Sequence, residues 1–436
     1  MLDRQVAPPV QPLASVTLPA ADVLILPNGA RLHVMRSDAQ PVVRLQVVFK
    51  AGKWYEPAPG VALLTARLLL EGTRTRTARQ IADEVAFYGA SLECEQGFDR
   101  ATLTLYCLAR HLGKLLPLVQ DVVSAPIFPE EELALLKQRT IQNIRIERQK
   151  TSYLAAERFS RNLFGSSHPY GTVFDETIFR TITRETLAQF HASTYRMAEA
   201  EIFLCGLITP EQQNAVAASL GEIITEHTVG KTSVINLSGN HTLAANHVQV
   251  DGSIQSSLRI GRLWPNLNHP SAHKLQVLIK VLGGYFGSRL MKNIREDKGF
   301  TYGIYASLTS REQSSALVIG TDVNAASTQA TIQEIHYELN RLRYELIPVE
   351  ELVIVRNYMS GKFANELSTV FEQCDKYKNL IFFNLADNYY SDFIEQINKV
   401  TSEEILELAQ EYLSPTSFIQ VVAGPLNFDY LNIFNQ

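Results

Sequence analysis

The apolar residues of this 436-residue chain follow strand spacing in some segments and helix spacing in others. Short runs of apolar and β-branched residues predict strands at residues 23–26, 42–50, 91–95 and 101–108. Helical spacing predicts helices at residues 60–70, 77–88 and about 130–148. The Pro-Asn-Gly sequence at 27–29 predicts a hairpin turn after the first strand. Hairpin-linked strands interrupted by helices indicate an α+β fold, in which antiparallel sheets pack against helices.

The chain repeats this plan at half its length. Residues 182–206 (ITRETLAQFHASTYRMAEAEIFLCG) and 400–424 (VTSEEILELAQEYLSPTSFIQVVAG) lie 218 positions apart, and each predicts a Thr-capped helix followed by an apolar strand. Residues 128–133 and 347–352 lie 219 positions apart, and each begins a helix with Pro and acidic residues, which the helix dipole favours there. Two ordered matches at nearly one offset indicate duplicated halves.

The repeat predicts how the chain divides into domains. Four prolines predict an extended N-terminal arm at residues 1–21. The two halves then occupy residues 22–225 and 244–436, and the polar segment 226–243 between them is a predicted linker.

Composition excludes several functional classes. The net charge of −5 and pI near 6.1 give no basic surface for nucleic acid or an anionic membrane. No apolar run approaches the roughly 20 residues of a membrane span. The first twenty residues lack an apolar signal region, which predicts a cytoplasmic protein, with a periplasmic one as the alternative if a signal sequence is missing. The four cysteines are widely spaced and are predicted to be buried, reduced thiols.

Three segments carry a family resemblance. They are GVA…LLLEGT at 60–73, FGSSHPYG at 164–171, and LGGYFGSRL…IREDKGFTYG at 282–303, of which the last is the most specific. From about residue 23 to 425 the chain resembles the pitrilysin (insulin-degrading) clan of inverted-motif zinc peptidases, near the mitochondrial processing peptidase and its two-domain bacterial relatives. The resemblance implies two similar α+β halves, paired with another such chain into a clamshell around an unfolded peptide.

The resemblance places a zinc site at residues that cannot form one. Hydrolysis in this clan needs His-x-x-Glu-His on a helix, with a carboxylate beside the metal-bound water. The two histidines fall on Leu63 and Arg67, the catalytic glutamate on Ala66, and the third zinc ligand on Asn143. The Arg67 guanidinium would repel the ion, and Asn143 offers only a weak neutral ligand. We therefore expect no intrinsic catalytic residues, no metal and no cofactor in this chain.

A second pair of family positions is retained. The resemblance places on Arg295 an arginine that holds the substrate backbone, and on Tyr302 a tyrosine whose hydroxyl stabilises the oxyanion, both acting in trans on another subunit's metal site. Arg295 is expected to end a helix, with Gly299 just past its end and Tyr302 at the start of the next strand. Without the resemblance, a helix C-terminal cation and a strand aromatic are the better explanation of the pair.

Other motifs favour structural roles. Pro270 lies between His269 and His273, and no Glu or Cys stands at useful spacing, so this pair indicates a helix entry rather than a metal site. The glycine turn at 283–287 lacks a phosphate-loop pattern. The resemblance implies a place near the substrate entrance, where the turn would guide peptides, and tight packing between two helices explains it as well.

These observations predict an accessory, non-catalytic subunit of a heterodimeric zinc metalloendopeptidase. Its expected partner is a homologous subunit that carries His-x-x-Glu-His and the zinc, although the chain alone could form a homodimer, and its substrate is a peptide or unfolded protein. The alternative is a purely structural or peptide-binding homologue without a role in proteolysis. An independent enzyme has little support, because no Gly-x-Ser-x-Gly, Cys/His signature or nucleotide loop is present.

Overall fold

The computed structural model describes residue 13, residues 15–224 and residues 246–425. The predicted linker at 226–243, and residues 1–12 and 14 of the predicted arm, lie outside the described residues. The chain divides into two compact units. The first unit holds the described residues of Pro19–Lys150 and Ser160–Leu243, and the second holds those of Met1–Leu18, Thr151–Phe159 and Ala244–Gln436.

The first unit contains six strands and most of eight helices. Its strands are β1 Asp22–Ile25, β2 Arg31–Arg36, β3 Val42–Phe49, β4 Ser91–Gln96, β5 Ala101–Leu108 and β6 Glu201–Gly206. The helices are α1 Val61–Leu68, α2 Ala78–Phe87, α3 Leu112–Ser124, α4 Glu130–Glu147, α5 Thr151–Phe164, α6 Glu176–Thr181, α7 Arg184–Thr194 and α8 Pro210–Gly221. The strands and helices predicted for this half agree with these bounds to within two residues.

The second unit contains five strands, six α-helices and a π-helix. The strands are β7 His247–Gln249, β8 Gln255–Trp264, β9 Ile304–Ser310, β10 Ser315–Asn324 and β11 Ile419–Gly424. The α-helices are α9 Ala272–Gly283, α10 Thr328–Tyr344, α11 Val349–Asn365, α12 Val370–Phe382, α13 Tyr389–Lys399 and α14 Ser402–Tyr412. The π-helix is Met291–Asp297. The beginning of α5 also packs here, where Thr151 Oγ1 accepts a hydrogen bond from Ser257 Oγ at 2.8 Å.

Each unit is built on one mixed sheet. The strand orders are β1-β2-β6-β3-β5-β4 and β7-β11-β8-β10-β9, so the second sheet repeats the first without its edge strand β1. The α+β fold with two similar halves is therefore confirmed. One pair in each sheet differs from the antiparallel prediction, since β6 runs parallel to β2 and β11 runs parallel to β7. Both strands arrive after a long helical crossover, the kind of connection that permits parallel pairing.

The sequence repeat coincides with equivalent elements. β6 and β11 start 218 positions apart, and α4 and α11 start 219 positions apart. Thr183 and Thr401 cap α7 and α14 by accepting hydrogen bonds from the backbone N–H groups of Thr186 and Glu404. The predicted duplication is thereby confirmed in three dimensions.

Each unit has its own apolar core between sheet and helices. In the first, α1 is buried along most of its length, through Val61, Ala62, Leu64, Ala66 and Leu68. In the second, α9 is buried similarly, and three residues of the predicted arm, Leu13, Val16 and Leu18, pack against that core. The four cysteines are buried and form no disulfide, as predicted. No helix in the described part of the chain is long and apolar enough to cross a membrane.

Candidate functional site

The helix that would carry the zinc motif begins at a rigid turn. Gly60 precedes α1 with φ +102°, and a side chain there would meet the Phe179 ring at 2.5 Å. The Glu56 carboxylate accepts hydrogen bonds from the backbone N–H groups of Gly60 at 2.9 Å and Ala62 at 3.1 Å. Burial raises the pKa of Glu56 to about 7, although these two hydrogen bonds favour the charged form. The start of the helix that would carry the zinc motif is therefore fixed by Gly60 and Glu56.

The three motif positions on α1 hold side chains without ligand atoms for a metal. Leu63 is half-buried, Ala66 is fully buried and Arg67 is exposed in the last turn. Zinc in proteins is bound by imidazole, thiolate or carboxylate, and none of these groups is present at the three positions. Among residues 13, 15–224 and 246–425, no three His, Cys, Asp or Glu side chains cluster in a way that could hold a metal ion.

The fourth family position lies on a helix that packs against α1. Asn143 is exposed on α4, and α4 packs against α1. Charged side chains of α4 also act on Glu71, which follows α1. Burial raises the pKa of Glu71, the charge of Glu132 raises it further, and the charge of Arg139 lowers it. α1 and α4 therefore pack against each other, and the metal-binding positions that the resemblance assigns to them hold Leu63, Arg67 and Asn143.

Arg295 lies in the π-helix of the second unit. Its guanidinium carbon is 4.5 Å from the centroid of the exposed Phe286 ring, a cation–π distance that orients the side chain. The wide helical turn is closed by a hydrogen bond from the Lys298 N–H to the Asn293 carbonyl at 3.0 Å. Single π-helical turns occur frequently at functional sites.

The segment between Arg295 and Tyr302 contains a glycine turn and is held by the side chain of Thr301. Gly299 follows the helix with φ +66°, as expected of the residue just past a helix end. Thr301 anchors the loop, since its hydroxyl lies 2.8 Å from the Asp322 carbonyl and accepts a hydrogen bond from the Gly303 N–H at 3.1 Å. The Tyr302 side chain is 99% exposed, so its hydroxyl projects from a fixed loop into solvent. The strand β9 begins at Ile304, two residues later than expected, because Thr301 and Gly303 are used in this turn.

Sequence reasoning missed the residues that hold the π-helix. The buried Asn293 side-chain amide donates to the carboxylates of Glu338 at 2.8 Å and Glu334 at 3.0 Å. Arg289 forms a bidentate pair with Glu351 at 3.0 and 2.9 Å. These partners come from α10 and α11, so no local pattern indicated them. They fix the position from which Arg295 projects.

The structure also shows the surroundings of Gly283 and of the His269–His273 pair. A side chain at Gly283 would lie 2.7 Å from the Ala306 backbone nitrogen, so the glycine is needed where α9 packs against β9. His273 is buried in α9 against the rings of Tyr389 and Phe393, at 4.4 and 5.4 Å, whereas His269 precedes the helix and faces Tyr412. The pair does not form a metal site.

The buried His273 and the half-buried His191 predict acid sensitivity. Burial lowers the pKa of His191 and of His273 from 6.5 to about 4. The unfolded chain then binds more protons than the folded chain between pH 6.5 and 4, so stability is lost as the pH falls through this window. Each histidine accounts for at most about 3 kcal/mol of the free energy of unfolding that is lost over this pH window. We expect His273→Phe, which keeps the ring contacts, to make urea midpoints fall less steeply from pH 7.5 to 4.5. An unchanged slope would contradict this assignment.

Comparisons with known proteins place the chain in a family. The model for "Insulinase (Peptidase family M16)" matches residues 32–167, and the model for "Peptidase M16 inactive domain" matches residues 181–359. The chain belongs to the peptidase M16 family. The resemblance to the pitrilysin clan is confirmed, and with its zinc positions replaced the chain is an inactive member of this family.

Relatives of the M16 chain match it along most of its length. It is 23% identical over 410 residues to an uncharacterized zinc protease of Rickettsia bellii, covering 92% of this chain and 97% of that protein. It is 21% identical over 350 residues to the "Non-peptidase homolog YmxG" of Helicobacter pylori, covering 79% and 80%. Its fold is similar to that of a peptidase M16 inactive domain from Pseudomonas fluorescens, with TM-score 0.83 and 24% identity over 93% of this chain and 98% of that one.

Proposed function

We propose that this M16 chain is the non-catalytic subunit of a heterodimeric zinc peptidase. Its partner is a homologous subunit that carries His-x-x-Glu-His and the zinc. This chain supplies half of the peptide-enclosing chamber, and it supplies Arg295 and Tyr302 to the partner's metal site. The substrate is a peptide or an unfolded protein segment, and both subunits occupy the cytoplasm.

The observation that carries this proposal is that the metal and base positions of the family are replaced, whereas the substrate-binding positions are retained. All four metal and base positions are replaced, at Leu63, Ala66, Arg67 and Asn143. Arg295 and Tyr302 are kept, the first on a π-helix held by the buried Asn293–Glu338 hydrogen bond and the second in a loop held by the hydrogen bond from Thr301 to the Asp322 carbonyl. A fully exposed tyrosine has no packing role that would require it, so its presence favours use by a bound molecule.

The two side chains suit peptide hydrolysis in trans. A peptide carbonyl gains negative charge when water attacks it, and a preorganised donor at that oxygen lowers the barrier. The Tyr302 hydroxyl is such a donor. The Arg295 guanidinium can donate to backbone carbonyls and position the peptide. The attacking water and its activation would come from the partner's zinc site.

A structural or peptide-binding homologue without a part in proteolysis is the second candidate. It is favoured by the description of the Helicobacter pylori relative as a non-peptidase homologue. In that case Arg295 and Tyr302 would contact a bound peptide without any effect on hydrolysis.

A reconstitution experiment separates these functions. A quenched unfolded peptide is incubated with zinc and with this chain alone, with a homologous His-x-x-Glu-His subunit alone, or with an equimolar mixture. We expect hydrolysis only in the mixture, together with a heterodimer on size-exclusion chromatography. Full activity of the zinc subunit alone, unchanged by this chain, would contradict the proposal and favour the second candidate. The elution of this chain alone reports whether it forms a homodimer.

A further inference from the structure

A pocket in the second unit is formed by four helices and has no part in the proposed peptidase function. We call it the lysine pocket, and it lies among α9, α11, α12 and α13 with a volume of about 250 Å³. Its charged lining residues are Lys280, Lys362, Lys376 and Glu366. α11, α12 and α13 are consecutive, but α9 is distant from them in sequence, so the pocket exists only in the folded second unit.

The lysine pocket has an excess of positive charge. Glu366 is shared, since its carboxylate lies 2.5 Å from Lys376 Nζ and 3.7 Å from Lys362 Nζ. The Lys280 ammonium donates to the Gly284 carbonyl at 3.1 Å and, in the part of the chain that the structure describes, pairs with no carboxylate. Burial lowers the pKa of Lys280 and the charge of Lys362 lowers it further, whereas the charge of Glu366 raises it. A bound anion would relieve both effects, because it supplies the charge that Glu366 cannot provide to three ammonium groups.

The remaining wall is aromatic. The rings of Phe363 and Tyr390 stack at 5.5 Å, and Phe393 packs against Phe363 at 5.1 Å. Lys376 Nζ lies 5.5 Å from the Phe363 centroid, so charge and ring surface adjoin within the pocket. Burial raises the pKa of Tyr389 and Tyr390 to about 12, so both phenols remain neutral. The lining therefore combines cationic groups at one part with flat apolar surface at another.

We propose that the lysine pocket binds a small organic anion in which a carboxylate is attached to an aromatic group. The carboxylate contacts Lys280 and Lys362, and the ring packs against Phe363, Tyr390 and Phe393. The volume lies below the range typical of drug-sized ligands, which limits the occupant to about one aromatic residue in size. A free aromatic acid and the C-terminal phenylalanine of a peptide share this chemistry.

Calorimetric titration of the full chain tests the proposal. The probes are N-acetylphenylalanine, a short peptide ending in Phe, and the same peptide with an amidated C-terminus. We expect saturable binding of at least one carboxylate probe and none of the amidated peptide. Binding of N-acetylphenylalanine alone identifies a free acid as the occupant, whereas tighter binding of the peptide identifies a C-terminus.

Lysine variants assign the binding to this pocket. Lys280→Met and Lys362→Met should each weaken binding about tenfold or more, because each removes a charge-assisted contact. Lys362 is half-exposed, so its variant should fold even if Lys280→Met does not. The matched control is Lys399→Met, at an exposed lysine paired with Glu395, and it should bind normally. Absence of saturable binding, or equal binding by the control and a folded pocket variant, would overturn the proposal.

Discussion

Replacing Leu63 and Arg67 with histidine, and Asn143 with glutamate, is expected to give this chain a zinc site that its native sequence lacks. The two imidazoles would lie one helical turn apart on α1, and the new carboxylate would project from α4, which packs against α1. Leu63 is only half-buried and Arg67 is exposed, so the histidines can reach an ion from solvent. Three protein ligands and one water complete the tetrahedral coordination of catalytic zinc sites.

Zinc content after gel filtration measures this gain. The triple variant should retain about one zinc per chain, and the native chain less than about a tenth. The control Leu63→His keeps the Arg67 guanidinium and should bind no more than the native chain, because one imidazole beside a cation is a poor site. A folded triple variant without zinc would show that α1 and α4 no longer hold the metal-site arrangement.

Restoring zinc alone is not expected to restore hydrolysis. Ala66 occupies the position of the base that activates water, and it is fully buried in the α1 core. Adding Ala66→Glu to the triple variant should therefore be needed for peptide cleavage. In the native background the same substitution should lower the melting temperature, since it buries a carboxylate that has no metal beside it.

Tyr302→Phe is expected to lower kcat of the reconstituted complex by about 10²–10³, the effect of removing one oxyanion donor. The substitution removes a single hydroxyl from a side chain that is 99% exposed, so the melting temperature of this chain should not change. KM should change little, because the hydroxyl contacts the oxyanion formed in the transition state rather than the ground-state peptide.

The matched control for this experiment is Tyr344→Phe, at another largely exposed tyrosine near the end of α10. It should leave kcat unchanged. Equal activity of the native complex and the Tyr302→Phe complex would contradict the oxyanion role while leaving the heterodimer intact. Arg295→Met is expected to raise KM instead, since Arg295 holds the peptide rather than the reacting oxygen.

The sequence determined the local elements and which side chains occupy the four zinc-site positions that the resemblance assigns. Strand and helix periodicity and the Thr caps at Thr183 and Thr401 are local patterns, so the first-half elements were predicted within two residues. The repeat at 218 positions spans half the chain, but it is visible as similarity within the sequence itself. The loss of ligands at Leu63, Arg67 and Asn143 follows from side-chain chemistry alone, because no fold can give leucine or arginine a zinc-binding atom. These conclusions did not require a tertiary structure.

Only the tertiary structure decided which strands pair and which helices contact each other. The parallel pairing of β6 with β2 and of β11 with β7 joins strands that are distant in sequence, and their register depends on the whole sheet. The Asn293–Glu338 contact and the lysine pocket likewise join separate helices. Such contacts follow from the burial of apolar surface across the entire unit, which is a non-local effect that short-range patterns in a sequence do not record.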